Sequence, residues 1–216
     1  MRIGVVADSH VGEHLPTLPA EVLERVDGVD LIVHAGDVAQ PRVLDELREV
    51  APVAAVRGNH DRGPLRHLPL SLVVPAGPFR IGVTHGTRRP GLELSSSLLS
   101  VAAARPVLLG FAREMVGRFT GVDMVITGHL HLSFDHMVDG VRHFSPGAVF
   151  VNEMLEGRVP TSGAIPWAYR RYRKHIDDAD RLPAIGFVEA GPRGLTARRV
   201  VLERPIAVQR RPRRRR

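Results

Sequence analysis

The feature that most constrains the fold is a set of five short polar motifs, each placed directly after a short apolar run. The motifs are Asp8-Ser-His10, Gly36-Asp37, Gly58-Asn59-His60-Asp61, His85-Gly86 and Gly128-His129-Leu130-His131. Apolar runs of about four to eight residues are typical of buried strands. Because loops at the carboxyl ends of parallel strands meet at one edge of a sheet, such a fold would bring the motifs together.

The first part of the chain alternates between predicted strands and predicted helices. Strands are predicted at residues 3–7, 29–35 and 53–56, and helices at residues 18–26 and 41–50. The second helix has Pro41 in its first turn, where proline is well tolerated. This alternation predicts parallel strands covered by helices.

After His60 the pattern changes to antiparallel pairing. Paired strands are predicted at 71–74 and 79–84, a buried strand at 122–127, and two hairpins at 134–138 with 141–145 and at 185–189 with 196–202. Asp139-Gly140 is a strong turn signal for the first hairpin. The chain is therefore expected to be an α/β protein with two sheets in one domain.

Three segments stand outside this scheme. Residues 92–120 are expected to be mostly helical and to cover the sheet; the alternatives are a lid or a contact between subunits of a homo-oligomer. Residues 152–182 carry an aromatic and basic cluster at 167–174, expected to dock on the domain, with nucleic-acid contact as the alternative. The basic tail, residues 204–216, cannot bury apolar area and is expected to be disordered.

Charge and composition limit the kinds of bond, ligand and cellular location that are expected. Six of the last seven residues are Arg, so most of the net charge of +7 comes from the tail. The tail could bind nucleic acid by phosphate contact.

The chain has no cysteine, which excludes disulfides and thiolate ligands. No apolar stretch approaches the roughly 18 residues of a membrane span, and no signal peptide is visible, so a cytoplasmic location is expected.

The motif side chains offer the donors of a metal site. Seven of them carry a carboxylate, an imidazole or an amide oxygen: Asp8, His10, Asp37, Asn59, His85, His129 and His131. Oxygen and imidazole ligands suit manganese first, with iron, zinc, nickel or cobalt as alternatives. Seven donors for two divalent ions would leave coordination positions open, as catalysis requires.

Such a pair of ions could share a hydroxide that attacks a phosphate ester. His60 lies between Asn59 and Asp61 and could protonate the departing oxygen as a general acid, or hold charge on the phosphoryl group. Two neighbours are not expected to be ligands: His34 is expected to pack or to support the ligands, and Asp61 to hold a loop or to orient His60. Four arginines flank the ligand loops and are candidate phosphate contacts: Arg57, Arg62, Arg88 and Arg89.

The five motifs together resemble the signature of the calcineurin-like metallophosphoesterases, and the size and strand order are similar to the small bacterial and archaeal phosphodiesterases of that superfamily. The resemblance implies a four-layer α/β/β/α sandwich, with two mixed sheets flanked by helices, over residues 1–203. It implies that Asp8, His10 and His131 hold one metal and that Asn59, His85 and His129 hold the other. Asp37 would bridge the two, and His60 would occupy the place of the histidine acid.

The expected activity is metal-dependent hydrolysis of a phosphodiester or another small phosphate ester. The alternatives are a nuclease, for which the basic tail would bind DNA or RNA, and a non-catalytic scaffold similar to the trafficking-coat subunit that resembles this family. The scaffold alternative would be favoured by degraded catalytic positions, but all seven donors and His60 are present.

Overall fold

The computed structural model describes residues 1–103, 107–150 and 182–203. Within this part of the chain lie ten strands, β1 (Arg2–Val6), β2 (Leu31–His34), β3 (Val53–Ala55), β4 (Ser71–Ala76), β5 (Phe79–Thr84), β6 (Met124–Ile126), β7 (Ser133–Val138), β8 (Val141–Pro146), β9 (Ala184–Gly191) and β10 (Gly194–Val201). Four α-helices accompany them, α1 (Ala20–Val26), α2 (Pro41–Arg48), α3 (Pro90–Ala103) and α4 (Phe111–Gly117).

The first sheet contains five strands in the order β10-β9-β1-β2-β3. Strands β1, β2 and β3 run parallel, with Ile3 opposite Leu31 and Ile32 opposite Val53. Strands β9 and β10 form an antiparallel hairpin beside β1. The βαβαβ pattern of the first part of the sequence therefore builds one half of this sheet.

The second sheet also contains five strands, in the order β4-β5-β6-β8-β7. Its three central strands, β5, β6 and β8, are parallel. Each edge strand is antiparallel to its neighbour, β4 to β5 and β7 to β8. Both sheets are therefore mixed.

Three apolar cores show how the layers stack. Ile3 and Val5 of the first sheet pack in one core with Ile81 and Ile126 of the second sheet. The outer face of the first sheet packs against α1 and α2, and the outer face of the second sheet packs against α4. The order of layers is helix, sheet, sheet, helix, which confirms the predicted four-layer sandwich.

The absence of a side chain at Gly186, on β9, allows the two sheets to pack closely. A Cβ atom there would lie 2.6 Å from Cε1 of Phe144 on β8. Real Cβ contacts are essentially never this short, so the two sheets could not pack this closely with any other residue at position 186.

All the predicted strands and both early helices are present, with small changes at their ends. The helical prediction over 92–120 resolves into α3 and α4, whereas Pro106, between them, lies outside the described residues. The predictions for residues 204–216, and for residues 152–181 of the other segment, also fall outside the described part of the chain. Within the described part, no helix combines the length and apolar character that crossing a membrane would require.

Candidate metal centre

The motifs converge because each follows a strand of the parallel part of a sheet. The first three come after β1, β2 and β3, and the last two come after β5 and β6 of the second sheet. The donor atoms of four residues, Asp8, His10, Asp37 and His131, lie within 4.8 Å of one another. The site therefore forms where the carboxyl ends of both sheets meet.

Asp8, His10 and His131 form one group of donors. Nε2 of His10 lies 3.2 Å from Nε2 of His131, and Oδ1 of Asp8 lies 3.6 Å from the same His131 atom. Asp8 and His10 are buried. Their donor atoms are therefore close enough together to hold one ion.

Asn59 and His85 form a second group, close to His129. Nε2 of His85 lies 3.1 Å from the amide oxygen of Asn59, and the His85 and His129 rings are 5.1 Å apart. Asp37 connects the two groups, since its Oδ2 atom lies 3.3 Å from Nε2 of His10 and 3.3 Å from Nε2 of His85.

The backbone at these donors is strained. Within the described residues, eight non-glycine residues have a positive φ angle, and five of them are candidate ligands: Asp8, His10, Asp37, His129 and His131. The left-handed conformation costs about 1–3 kcal/mol where the surrounding structure imposes it. Because so many of these left-handed residues are candidate ligands, the fold places the donor side chains at a cost in local stability.

Glycines in the motifs make room for the donors. A Cβ atom on Gly128 would lie 2.8 Å from Oδ2 of Asp8, and one on Gly58 would lie 2.7 Å from Cγ of Asp37. Only a residue without a side chain fits at either position, which explains why the motifs pair glycine with donor residues.

Hydrogen bonding fixes which nitrogen of His85 faces the donors. Its Nδ1 atom lies 2.8 Å from the carbonyl oxygen of Ala35, and a carbonyl can only accept. Nδ1 therefore carries the proton, and Nε2 faces two oxygens, those of Asp37 and Asn59. Without a cation, a proton on Nε2 satisfies these oxygens; a divalent cation would take the place of that proton.

The pKa shifts of three donor residues also indicate that the site favours positive charge. Burial raises the pKa of Asp8 to about 7. Burial would lower the pKa of His85, but its hydrogen bond to Asp37 and the charge of Asp8 outweigh burial and raise the pKa to about 9. For Asp37, hydrogen bonds from His10 and His85 outweigh burial and lower the pKa. The donor set therefore fits divalent cations.

His60 lies at the edge of this site. Its backbone N–H donates to Oδ1 of Asp37 at 2.7 Å, and its ring is 4.6 Å from the ring of His10. The side chain is 41% exposed, so it borders both the donors and solvent.

Two carboxylates that sequence reasoning did not single out also reach the site. Oε2 of Glu13 lies 2.8 Å from Nδ1 of His10 and 2.7 Å from Nδ1 of His60. Oε1 of Glu93, on α3, lies 3.0 Å from Nε2 of His129. The available signal for Glu13 was its position three residues after His10; for Glu93 the sequence offered none.

Other predicted neighbours have structural contacts. Asp61 accepts backbone N–H bonds from Asp37, Ala39 and Gly58, as expected for a loop-holding residue. His34 is buried, with Nε2 3.0 Å from the hydroxyl of Ser9. The buried Arg88 guanidinium donates to the carbonyl of Leu108 and the hydroxyl of Ser96, so it holds α3 rather than facing a phosphate.

A cleft opens beside Asn59. It has a volume of about 410 Å³, and its lining includes Arg57, Asn59, Arg66 and Thr87. Among the described residues that line it, the one acid is Asp61, which three backbone N–H groups already engage. The cleft therefore presents positive charge next to one group of donors.

Comparison with known proteins finds a matching family. A family model, the calcineurin-like phosphoesterase superfamily domain, matches residues 1–161. A probable metallophosphoesterase of Methanothermobacter thermautotrophicus is 30% identical over 159 residues, which cover 74% of this chain and 83% of that relative.

Two solved structures share the fold. A structure described as a novel archaeal phosphodiesterase is 20% identical with a TM-score of 0.56, covering 94% of this chain and 100% of that chain. Vps29 from Entamoeba histolytica, solved in complex with zinc, is 21% identical with a TM-score of 0.54, covering 93% and 99%. At these identities the two structures bear on the fold alone.

Proposed function

Because the chain belongs to the calcineurin-like phosphoesterase superfamily, we propose that it is a dinuclear metal-dependent hydrolase of phosphodiesters or other small phosphate esters. The observation that carries this proposal is the position of Asp37, whose Oδ2 atom lies 3.3 Å from an imidazole nitrogen of each donor group. One carboxylate oxygen so placed could serve two cations at once.

In this proposal Asp8, His10 and His131 hold one cation, and Asn59, His85 and His129 hold the other, with Asp37 between them. Manganese is the expected metal, with iron, zinc, nickel or cobalt as alternatives. When bound, the cations would neutralise phosphate charge and lower the pKa of a coordinated water to near 7. Side chains of the protein would donate the proton to the leaving oxygen and pair with the charge of the substrate.

His60 acts as the general acid. Its imidazolium donates a proton to the leaving oxygen as the bond from phosphorus to that oxygen breaks, and the electron pair of the bond stays on the oxygen. Its side chain suits this because it is partly exposed and its backbone is held by Asp37. The Arg57 guanidinium, in the neighbouring cleft, is placed to pair with a negatively charged part of the substrate.

The test is hydrolysis by purified protein, supplied with manganese, of bis-p-nitrophenyl phosphate and p-nitrophenyl phosphate. We expect activity that chelation abolishes and that Asp37→Asn reduces at least about 10²-fold, because an outer-shell change alone costs 10–100-fold. Asp45→Asn, an exposed residue of α2, should match the unaltered protein. Activity that survives Asp37→Asn, or protein that binds no metal, would refute the proposal.

The salt dependence of the same purified protein distinguishes a nuclease from a hydrolase of small esters. Affinity for DNA or RNA should fall steeply as salt rises, whereas turnover of a small ester should change much less. The residues that would bind a strand, 167–174 and 204–216, lie outside the described part of the chain.

A further inference from the structure

One carboxylate oxygen contacts two histidines that have different predicted tasks. Oε2 of Glu13 lies 2.8 Å from Nδ1 of His10, a candidate ligand, and 2.7 Å from Nδ1 of His60, the candidate acid. Both are good hydrogen-bond distances. Glu13 lies outside all five sequence motifs.

The local chain geometry explains how Glu13 reaches both rings. A turn follows His10, in which the N–H groups of Glu13 and His14 donate to the carbonyl of His10, both at 2.9 Å. Gly12, with φ of 87°, lies inside this turn. The turn folds the Glu13 side chain back toward the donors, where it is 30% exposed.

The hydrogen-bonding chemistry then assigns the ring nitrogens. An ionised carboxylate can only accept, so Nδ1 of each ring must donate to it. For His10 this leaves Nε2 to face Asp37 and His131, as observed. For His60 it leaves Nε2 as the atom that can meet the substrate.

We propose that Glu13 is a positioning residue that fixes His60 with Nε2 toward the reacting atoms and ties its placement to that of His10. This inference rests on the proposed function. Because the His10 and His60 rings also meet edge to face at 4.6 Å, a displacement of either ring must disturb the other. Glu13 accepts hydrogen bonds throughout the reaction and takes no proton; the proton of Nε2 goes to the leaving oxygen.

The alternative is that Glu13 is a metal ligand, since its carboxylate, His10 and His60 could also surround an ion. Metal content separates the two. A positioning residue predicts that Glu13→Gln keeps the number of ions bound per chain, measured by elemental analysis. Loss of one ion per chain would overturn the proposal.

The first experiment compares aryl phosphodiesters that differ in their leaving group. Protonation by His60 matters most for a poor leaving group, so Glu13→Gln should lower kcat about 10- to 100-fold on diphenyl phosphate and much less on bis-p-nitrophenyl phosphate. KM should change little, and Glu13→Asp should restore part of the rate. Equal losses on both substrates, or a loss confined to KM, would contradict a positioning role.

A double-mutant cycle tests whether Glu13 acts through His60. The double variant Glu13→Gln/His60→Ala should be no slower than His60→Ala alone, because residues that act as a unit are not additive. Additive losses would show independent actions. Glu49→Gln, which alters an exposed glutamate beyond α2, is the matched control and should leave kcat unchanged.

Nuclear magnetic resonance of metal-free protein gives a result that does not depend on activity. Long-range proton–nitrogen spectra should show neutral His60 with its proton on Nδ1, and Glu13→Gln should move that proton toward Nε2. An inactive protein that shows this change would count against the proposed function and not against the positioning of His60. An unchanged proton position would overturn the positioning role.

Discussion

Oδ2 of Asp37 lies 3.3 Å from Nε2 of His85, and these two residues come from different sheets. Asp37 follows β2 of the first sheet, and His85 follows β5 of the second. A cation between them would therefore connect the two halves of the sandwich as well as serve chemistry.

A metal that bridges the sheets should stabilise the whole domain. A ligand present at 100 times its dissociation constant adds about 2.7 kcal/mol to the free energy of unfolding, or roughly 5–10 °C in Tm for a chain of this size. We expect manganese to raise Tm by about that amount in scanning calorimetry. Asp37→Asn should lose most of this rise, and equal Tm values with manganese and with chelator would contradict the prediction.

The space beside Gly58 should be essential for Asp37. In Gly58→Ala the new methyl group would overlap the carboxylate of Asp37, which must shift or force the loop to move. Overpacking of this kind costs about 1–3 kcal/mol, and we expect metal content to fall with stability. Gly117→Ala is the control, because a Cβ at that helix position meets nothing within 4 Å. Normal metal content in Gly58→Ala would be the contrary result.

Local patterns were sufficient to predict the strands and the ends at which the donors sit. The run before Asp8 and the run before Gly36-Asp37 are β-branched and short, and both form neighbouring parallel strands. The strand-end pattern predicted that the motifs meet at an edge of a sheet, but Asp37 and His85 follow strands of different sheets. Their distance depends on how the two sheets pack and not on residues near either in sequence.

Glu93 shows where sequence reasoning ends. It lies on α3, and it reaches His129 only because that helix starts beside the site, where the backbone N–H of Arg88 also donates to Glu93 at 2.9 Å. The expectation of a covering helix for residues 92–120 carried no information on this contact. The contact between Glu93 and His129 depends on how α3 packs beside the loop after β6, and the spacing of apolar residues does not predict that packing.

Acid should destabilise the chain through the buried His143. Burial, reinforced by the nearby His136, lowers the pKa of His143 to about 4. Because its folded pKa lies below its unfolded value near 6.5, the stabilisation is complete above pH 6.5 and is lost as pH falls toward 4. His143→Gln should therefore show a shallower fall in Tm between pH 7 and 5, measured with chelator present. The exposed His67→Gln should follow the unaltered protein; parallel curves for His143→Gln would contradict the prediction.

His60→Ala should separate catalysis from metal binding. The His60 ring contacts Glu13 and the ring of the candidate ligand His10, but without it His10 keeps its contacts with Glu13 and Asp37. We expect unchanged metal content and turnover of diphenyl phosphate reduced by about 10²–10⁴-fold, the usual contribution of a general acid. His67→Ala alters an exposed histidine at the end of the short 3-10 helix Gly63–His67 and should retain full turnover. Loss of an ion from His60→Ala would instead make His60 a ligand.

Glu93 should tune metal affinity through His129. Its carboxylate accepts from Nε2, which leaves Nδ1 of His129 for a cation, and such outer partners typically contribute 10- to 100-fold in metal affinity. Glu93→Gln keeps an acceptor but removes the charge, so we expect about a tenfold weaker second metal equivalent in isothermal titration calorimetry, with a larger loss in Glu93→Ala. Glu114→Gln alters a glutamate that pairs with Arg118 on α4 and should bind both ions normally. If Glu93→Ala bound metal as tightly as Glu114→Gln, the contact with His129 would have no part in holding the metal.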